Sequence, residues 1–215
     1  MIDTMSGAYL DLAAWPRRNH FELFRGYDQP FFNVTADVRV SSTYRLCRDA
    51  GHSFFLATLY QSLCAANRTE EFRLRLRVDG VWRYDRVHAG STLLRPDGTF
   101  GFGYFDAAPN FSEFQANGRA VIATVRAATE LNPEDERDDL LHYSVLPWIH
   151  FTSFAHARTR KHLDSVPKIV FGKRYERAGE SWMPVSIEVH HALVDGLHVA
   201  AFLDAFQEGL DAFQI

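Results

Sequence analysis

The stretch PVSIEVHHALVDG, residues 184–196, decides how this chain is read. Val185, Ile187, Val189 and His191 fall on one side and Ser186, Glu188 and His190 on the other, the period of two that a strand requires. The adjacent histidines therefore diverge. His191 continues the apolar side to the strand end, just before a turn containing Gly196. An imidazole there can be partly desolvated, oriented by its neighbours and still open to a substrate, and it can take and return a proton near neutral pH. Asp195, four residues on, is placed to accept a hydrogen bond or to pair with an arginine that holds the turn. The residue types alone leave three uses open: a structural pair, a metal site, or a general base. Strand alternation points the two imidazoles apart, which disfavours a metal.

Working outward, FFNVTADVRV (31–40) alternates Phe32, Val34, Ala36, Val38 and Val40 with mostly polar residues and predicts a half-buried strand. Ser53 can cap a helix over FFLATLYQSLCAAN, where Leu56, Leu59, Tyr60 and Leu63 recur at helical spacing. Phe72, Leu74, Leu76 and Val78 alternate with Arg73, Arg75 and Arg77 before an Asp79-Gly80 turn, the pattern of a hairpin. The three arginines are expected on a solvated sheet face, with an anion or subunit contact as the other reading. In TFGFGYF (99–105), Gly101 and Gly103 lie opposite Phe100, Phe102 and Tyr104 and permit close approach, by another strand or by a ligand. A helix is expected over 112–131, strands over 168–175 and 184–191, and a final helix whose stripe is Val199, Phe202, Leu203, Phe206, Leu210 and Phe213.

These alternating elements run through 215 residues with no linker or repeat, which predicts one α/β domain over 1–215. The formal charge is -4, without the basic footprint of a nucleic-acid binder. Two cysteines, Cys47 and Cys64, make neither a disulfide framework nor a metal clip. Asp3 and Asp11 stand where a signal peptide would be basic and then apolar, and no run approaches the ~18 apolar residues of a membrane span. The expectation is a cytoplasmic protein that binds neither nucleic acid nor membrane.

HHALVDG closely resembles the HHxxxDG signature of the chloramphenicol acetyltransferase family, relatives of the dihydrolipoamide acyltransferase core and of peptide-synthetase condensation domains. WPRRNHFELF (15–24), EFRLRLRVDGVWRYDRVH (71–88), YSVLPWIHFTSF (143–154) and PKIVFGKRY before MPVSIEVHH carry the resemblance across nearly the whole chain. It implies a mixed β-sheet with flanking helices and a homotrimer, in which a neighbouring subunit completes the substrate channel. It also implies antibiotic resistance by acetyl transfer from acetyl-CoA, as co-substrate, to a chloramphenicol hydroxyl.

By the same resemblance His191 is the general base, Ser144 donates to the oxyanion, and Asp195 pairs with Arg17 to shape the site. Phe24, Phe100 and Val170 fall on the acceptor side, and Ser53, Phe55 and Ser144 on the acetyl-CoA side. No metal and no tightly bound cofactor is implied. His190 is expected as a structural hydrogen-bonder, and His20, His150 and His198 as packing or surface residues. The basic run HARTRKH (156–162) departs from the family pattern, as a solvated segment or a contact for CoA phosphates. Val170, Ser53 and Phe24 replace a threonine, a lysine and, in some members, a tyrosine. That keeps open a different hydroxyl or amine acceptor, or a non-catalytic small-molecule binding module.

Overall fold

Strand β10 (Glu180–His190) is the spine of the molecule. In this computed structural model, which describes residues 6–214 except 132, 134–136 and 159–163, it sits in a mixed seven-stranded sheet. Its neighbours are β2 (Phe31–Arg39), antiparallel, and β8 (Lys168–Phe171), also antiparallel. The order continues through β7 (Leu140–Val145) and β5 (His88–Leu94), both parallel steps, to β6 (Phe100–Phe105), while β9 (Tyr175–Arg177) pairs with the start of β10. A smaller three-stranded sheet orders β1 (Gly7–Tyr9), β4 (Gly80–Tyr84) and β3 (Leu74–Arg77).

Helices cover one face of the large sheet. Val185, Ile187, Val189, Ile169, Phe171 and Tyr143 point into that side and are buried. Phe171 meets Phe206 of α5 (Gly196–Asp211), and the Tyr143 hydroxyl lies 3.0 Å from Ser62 Oγ of α3 (Phe54–Arg68). Ser53 caps α3, accepting from Leu56 N–H at 3.3 Å. The helix expected over 112–131 is α4 (Phe111–Ala127), capped by Asn110. A Cβ on Gly103 would lie 2.6 Å from Leu93 of the neighbouring β5 and 3.0 Å from Val121, and one on Gly101 2.6 Å from Arg95 Nη2 and 2.8 Å from Val125. The close approach at these glycines therefore serves the adjacent strand, as expected, together with α4 and Arg95.

The opposite face is polar. Register places Ser186, Val170 and Ser144 in one row across β10, β8 and β7. In the next row stand Asn33, Glu188, Lys168, His142, Gly90 and Tyr104. The described part of the segment after β7 crosses this face, where Arg158 pairs with Glu188 and, at 2.9 Å, with Asp164.

The arginines of the β3–β4 hairpin do not form a solvated face. Arg75 is fully buried and donates to the carbonyls of Phe72, Leu74, Asp138 and Leu140 at 2.6–3.0 Å. Arg77 pairs with the Asp138 carboxylate, which Tyr84 also meets, and Arg73 donates to the Tyr84 and Asp85 carbonyls. A buried guanidinium is tolerated when its donors all find acceptors. Here two of the four acceptors, Asp138 and Leu140, come from chain more than sixty residues away. Burial lowers the Arg75 pKa to about 10, so it stays a cation at neutral pH.

Candidate active site

His191 stands one residue beyond the end of β10, on the helix-covered side. Its backbone N–H donates to the Pro30 carbonyl at 2.7 Å. The ring stacks on Phe24, at the end of α1 (Arg18–Phe24), with centroids 3.9 Å apart and planes inclined by 14°, and it meets Phe32 at 4.8 Å. Nδ1 lies 3.2 Å from the Val194 carbonyl oxygen. A carbonyl can only accept, so Nδ1 carries the hydrogen and the neutral ring keeps its lone pair on Nε2. Nε2 makes no hydrogen bond among the described residues.

A network of charge holds this turn. Arg17 Nε donates to Asp195 Oδ2 at 3.0 Å, while Nη1 and Nη2 reach the carbonyls of Ala192 (3.4 Å) and His191 (3.2 Å). Asp195 begins α5 as its N-cap. Its N–H donates to His198 Nδ1 at 3.0 Å, and His198 Nε2 lies 3.3 Å from Glu71 Oε1. His198 is thus a partly buried packing residue, the first of the two places expected for it, and joins the turn that carries His191. Its place three positions after an N-cap aspartate is the sequence signal that could have shown it. Arg18, His20 and His150 are exposed.

His190 takes the opposite side. It is 3% exposed, packs edge-on against Phe31, and its Nδ1 accepts from Ala192 N–H at 3.2 Å. Burial, with Arg158 adding to it, pushes its pKa down to about 4. Among the described residues no group of three or more His, Cys, Asp or Glu is arranged to hold a metal ion.

Ser144 lies elsewhere. It lines a cleft of about 660 Å³ on the polar face, with Thr92, Phe102, Tyr104, His142, His156 and Lys168 among its walls. Ser144 shares its row with Ser186, so His191 is five residues along and two strands across, and faces the other side of the sheet. At ~3.3 Å per residue and ~4.8 Å per strand the two are on the order of 19 Å apart. Within one chain they cannot act on the same atom.

The remaining candidates scatter around these two centres. Val170 is fully buried beside Ser144 and offers no surface to the cleft. Phe100 is half exposed at the start of β6 and packs edge-on against Phe102. Ser53 is occupied as a helix cap, its own N–H donating to Gln115 Oε1 at 3.0 Å, and Phe55 packs against Phe105. Residues 159–162 of the basic run lie outside the described residues. Of its described part, Arg158 is neither solvated nor free, being paired as above and held over the Phe31 ring.

A mixed sheet ending in an imidazole of fixed tautomer offers a candidate general base. The comparisons with known proteins narrow this. The family profile for chloramphenicol acetyltransferase matches residues 5–207, and the chain belongs to that family. It is an acyltransferase. It is 27% identical to chloramphenicol acetyltransferase 3 of Escherichia coli over 95% of this chain and 97% of the relative. It is 30% identical to the chloramphenicol acetyltransferase of Streptomyces acrimycini, over 93% and 92%. A solved chloramphenicol acetyltransferase superposes with a TM-score of 0.89 at 28% identity, covering 95% of this chain and all of the other. The cubic core of the pyruvate dehydrogenase complex shares the fold alone, with a TM-score of 0.65 at 17% identity over 85% and 82%.

Proposed function

We propose that the chain transfers the acetyl group of acetyl-CoA to a hydroxyl of chloramphenicol, as a resistance enzyme of the cytoplasm. In this reading residues 1–215 form one domain that works as a homotrimer, with His191 of one copy facing Ser144 of the next. The observation that carries the reading is the His191 ring: stacked, its Nδ1–H committed to Val194, its Nε2 lone pair left for a substrate.

Nε2 takes the proton of the acceptor hydroxyl as its oxygen attacks the thioester carbon, with no acyl-enzyme. Negative charge gathers on the thioester oxygen, where the Ser144 hydroxyl donates and favours the tetrahedral intermediate over the substrate. Collapse expels the CoA thiolate, which receives the proton from the Nε2–H of the imidazolium. Arg17 acts on geometry, donating to the His191 and Ala192 carbonyls, and the Asp195 carboxylate holds Arg17 in place. Phe24 walls the acceptor beside the base, and Phe100 bounds it on the Ser144 side. Ser53 and Phe55, at the start of α3, flank the acetyl-CoA path.

The separation of His191 from Ser144 is the observation that supports a shared site.

The test is thiol release from acetyl-CoA with chloramphenicol. Wild type should turn over, and His191→Ala should lose about 10²–10⁴-fold in kcat, the range of general-base assistance. No release from pure wild type would overturn the reading, and ligand binding without release would make the chain a binding module.

A further inference from the structure

The cleft that Ser144 lines has charged walls, but those charges are balanced within the chain. Arg137 meets Asp139 and Asp106, Asp138 meets Arg77, Asp164 meets Arg158, and Lys168 stands opposite Glu188 in the sheet. A neutral guest such as chloramphenicol therefore relies on the uncharged polar groups of the cleft to fix its orientation. His142 is the best placed of these.

His142 is the third residue of β7 and Ser144 the fifth, so their side chains leave the same face of one strand, ~6.6 Å apart along it. The His142 ring is exposed to the cleft, and among the described residues neither of its nitrogens makes a hydrogen bond. Gly90, beside it on β5, has no side chain to fill the space, while Lys168 flanks it on β8. Desolvation, with the Lys168 ammonium adding to it, pushes the His142 pKa down to about 4. At physiological pH the ring is thus neutral and offers one N–H and one lone pair.

Chloramphenicol is a 1,3-diol, with a primary and a benzylic hydroxyl on either side of the carbon that bears the amide. The primary hydroxyl is the less hindered nucleophile, which leaves the benzylic one free to be held. A hydroxyl donates and accepts, so it fits a neutral imidazole in either tautomer. The nitro oxygens and the amide carbonyl only accept and the amide N–H only donates, so each fits one tautomer alone. We propose that His142 holds the benzylic hydroxyl of chloramphenicol while the primary hydroxyl attacks the thioester beside Ser144. This rests on the acetyl-transfer reading above and assigns that site a specificity residue.

The test compares chloramphenicol with its 1-deoxy analogue, which lacks only the benzylic oxygen, by kcat/KM in the thiol-release assay. Wild type should prefer chloramphenicol by about tenfold, the effect of losing a hydrogen bond and leaving its partner unpaired. His142→Phe and His142→Leu delete the hydrogen-bonding atoms, and whichever keeps the wild-type thermal midpoint should bring that ratio to about one. His142→Gln, which keeps a donor and an acceptor, should hold the ratio nearer its wild-type value. Thr92→Val removes a hydroxyl from another wall of the cleft and should leave the ratio as it is. The proposal is overturned if wild type does not discriminate, if the preference survives in both His142→Phe and His142→Leu, or if Thr92→Val abolishes it. Thiol release with neither acceptor would overturn the parent reading, and this inference with it.

Discussion

Replacing Arg17 with alanine tests whether the charge network positions the base. The change removes the 3.0 Å bond to Asp195 and the 3.4 and 3.2 Å bonds to the Ala192 and His191 carbonyls. A hydrogen bond to a charged group contributes ~1.5–3 kcal/mol, and the two longer carbonyl bonds add about 1 kcal/mol together. Asp195 is 30% exposed, so water partly replaces the lost partner. The loss should therefore be about 2–3 kcal/mol, below the ~3–5 of a fully buried pair. At ~2–4 °C per kcal/mol for a chain of this size, the thermal midpoint should fall by about 5–10 °C. Because Arg17 grips the His191 carbonyl, kcat should fall at least about tenfold at temperatures where the variant is folded, with little change in KM for acetyl-CoA. The double variant with Asp195→Ala should lose less stability than the two singles added, by about 1–2 kcal/mol. Calorimetry and thiol release decide it. An unchanged midpoint and kcat, or strict additivity, would refute the argument.

Three further outcomes follow from the same structure. Phe24→Ala removes the ring stacked on His191, a contact of ~0.5–1.5 kcal/mol beyond its buried area. It should lower kcat more than it raises KM, and a variant with wild-type kcat would contradict the stacking role. Arg75→Met strands four carbonyls that now share one guanidinium and should cost at least about 3 kcal/mol, read as a fall in denaturation midpoint. His190 is neutral in the fold with a pKa near 4 and ordinary when unfolded, so the unfolded chain binds the extra proton between those values. Stability from this group is complete above pH ~6.5 and is lost as pH falls toward ~4, by on the order of 3 kcal/mol. His190→Asn, which keeps an acceptor for Ala192 N–H, should flatten that slope in denaturant titrations, and an unchanged slope would refute the assignment.

Much of this was legible before any coordinates, because the informative features are local. The alternation in 184–191, the Ser53 cap and the Asp-Gly hairpin each depend on a few neighbouring residues, and β10, α3 and the β3–β4 pair follow them. Other elements were not legible. SSTYRLCRDA forms α2 (Ser41–Ala50) although it is polar over most of its surface, with only Thr43 and Cys47 buried. Ser144 reads locally as a residue before a proline turn, yet it is the fifth residue of β7. Arg75 looked solvent-facing because two of the four carbonyls that receive it, those of Asp138 and Leu140, come from distant chain. The resemblance named His191 and Ser144 together, and only the register reveals that one chain holds them apart.

That separation permits a direct test of the central claim that each site is built from two copies. His191→Ala and Ser144→Ala chains, each inactive or nearly so alone, are co-expressed in equal amounts. Random mixing in a closed ring pairs an intact His191 with an intact Ser144 at about one quarter of the interfaces. Thiol release from the purified mixture should therefore recover about a quarter of wild-type activity, while activity no greater than the mean of the two parents would contradict the account.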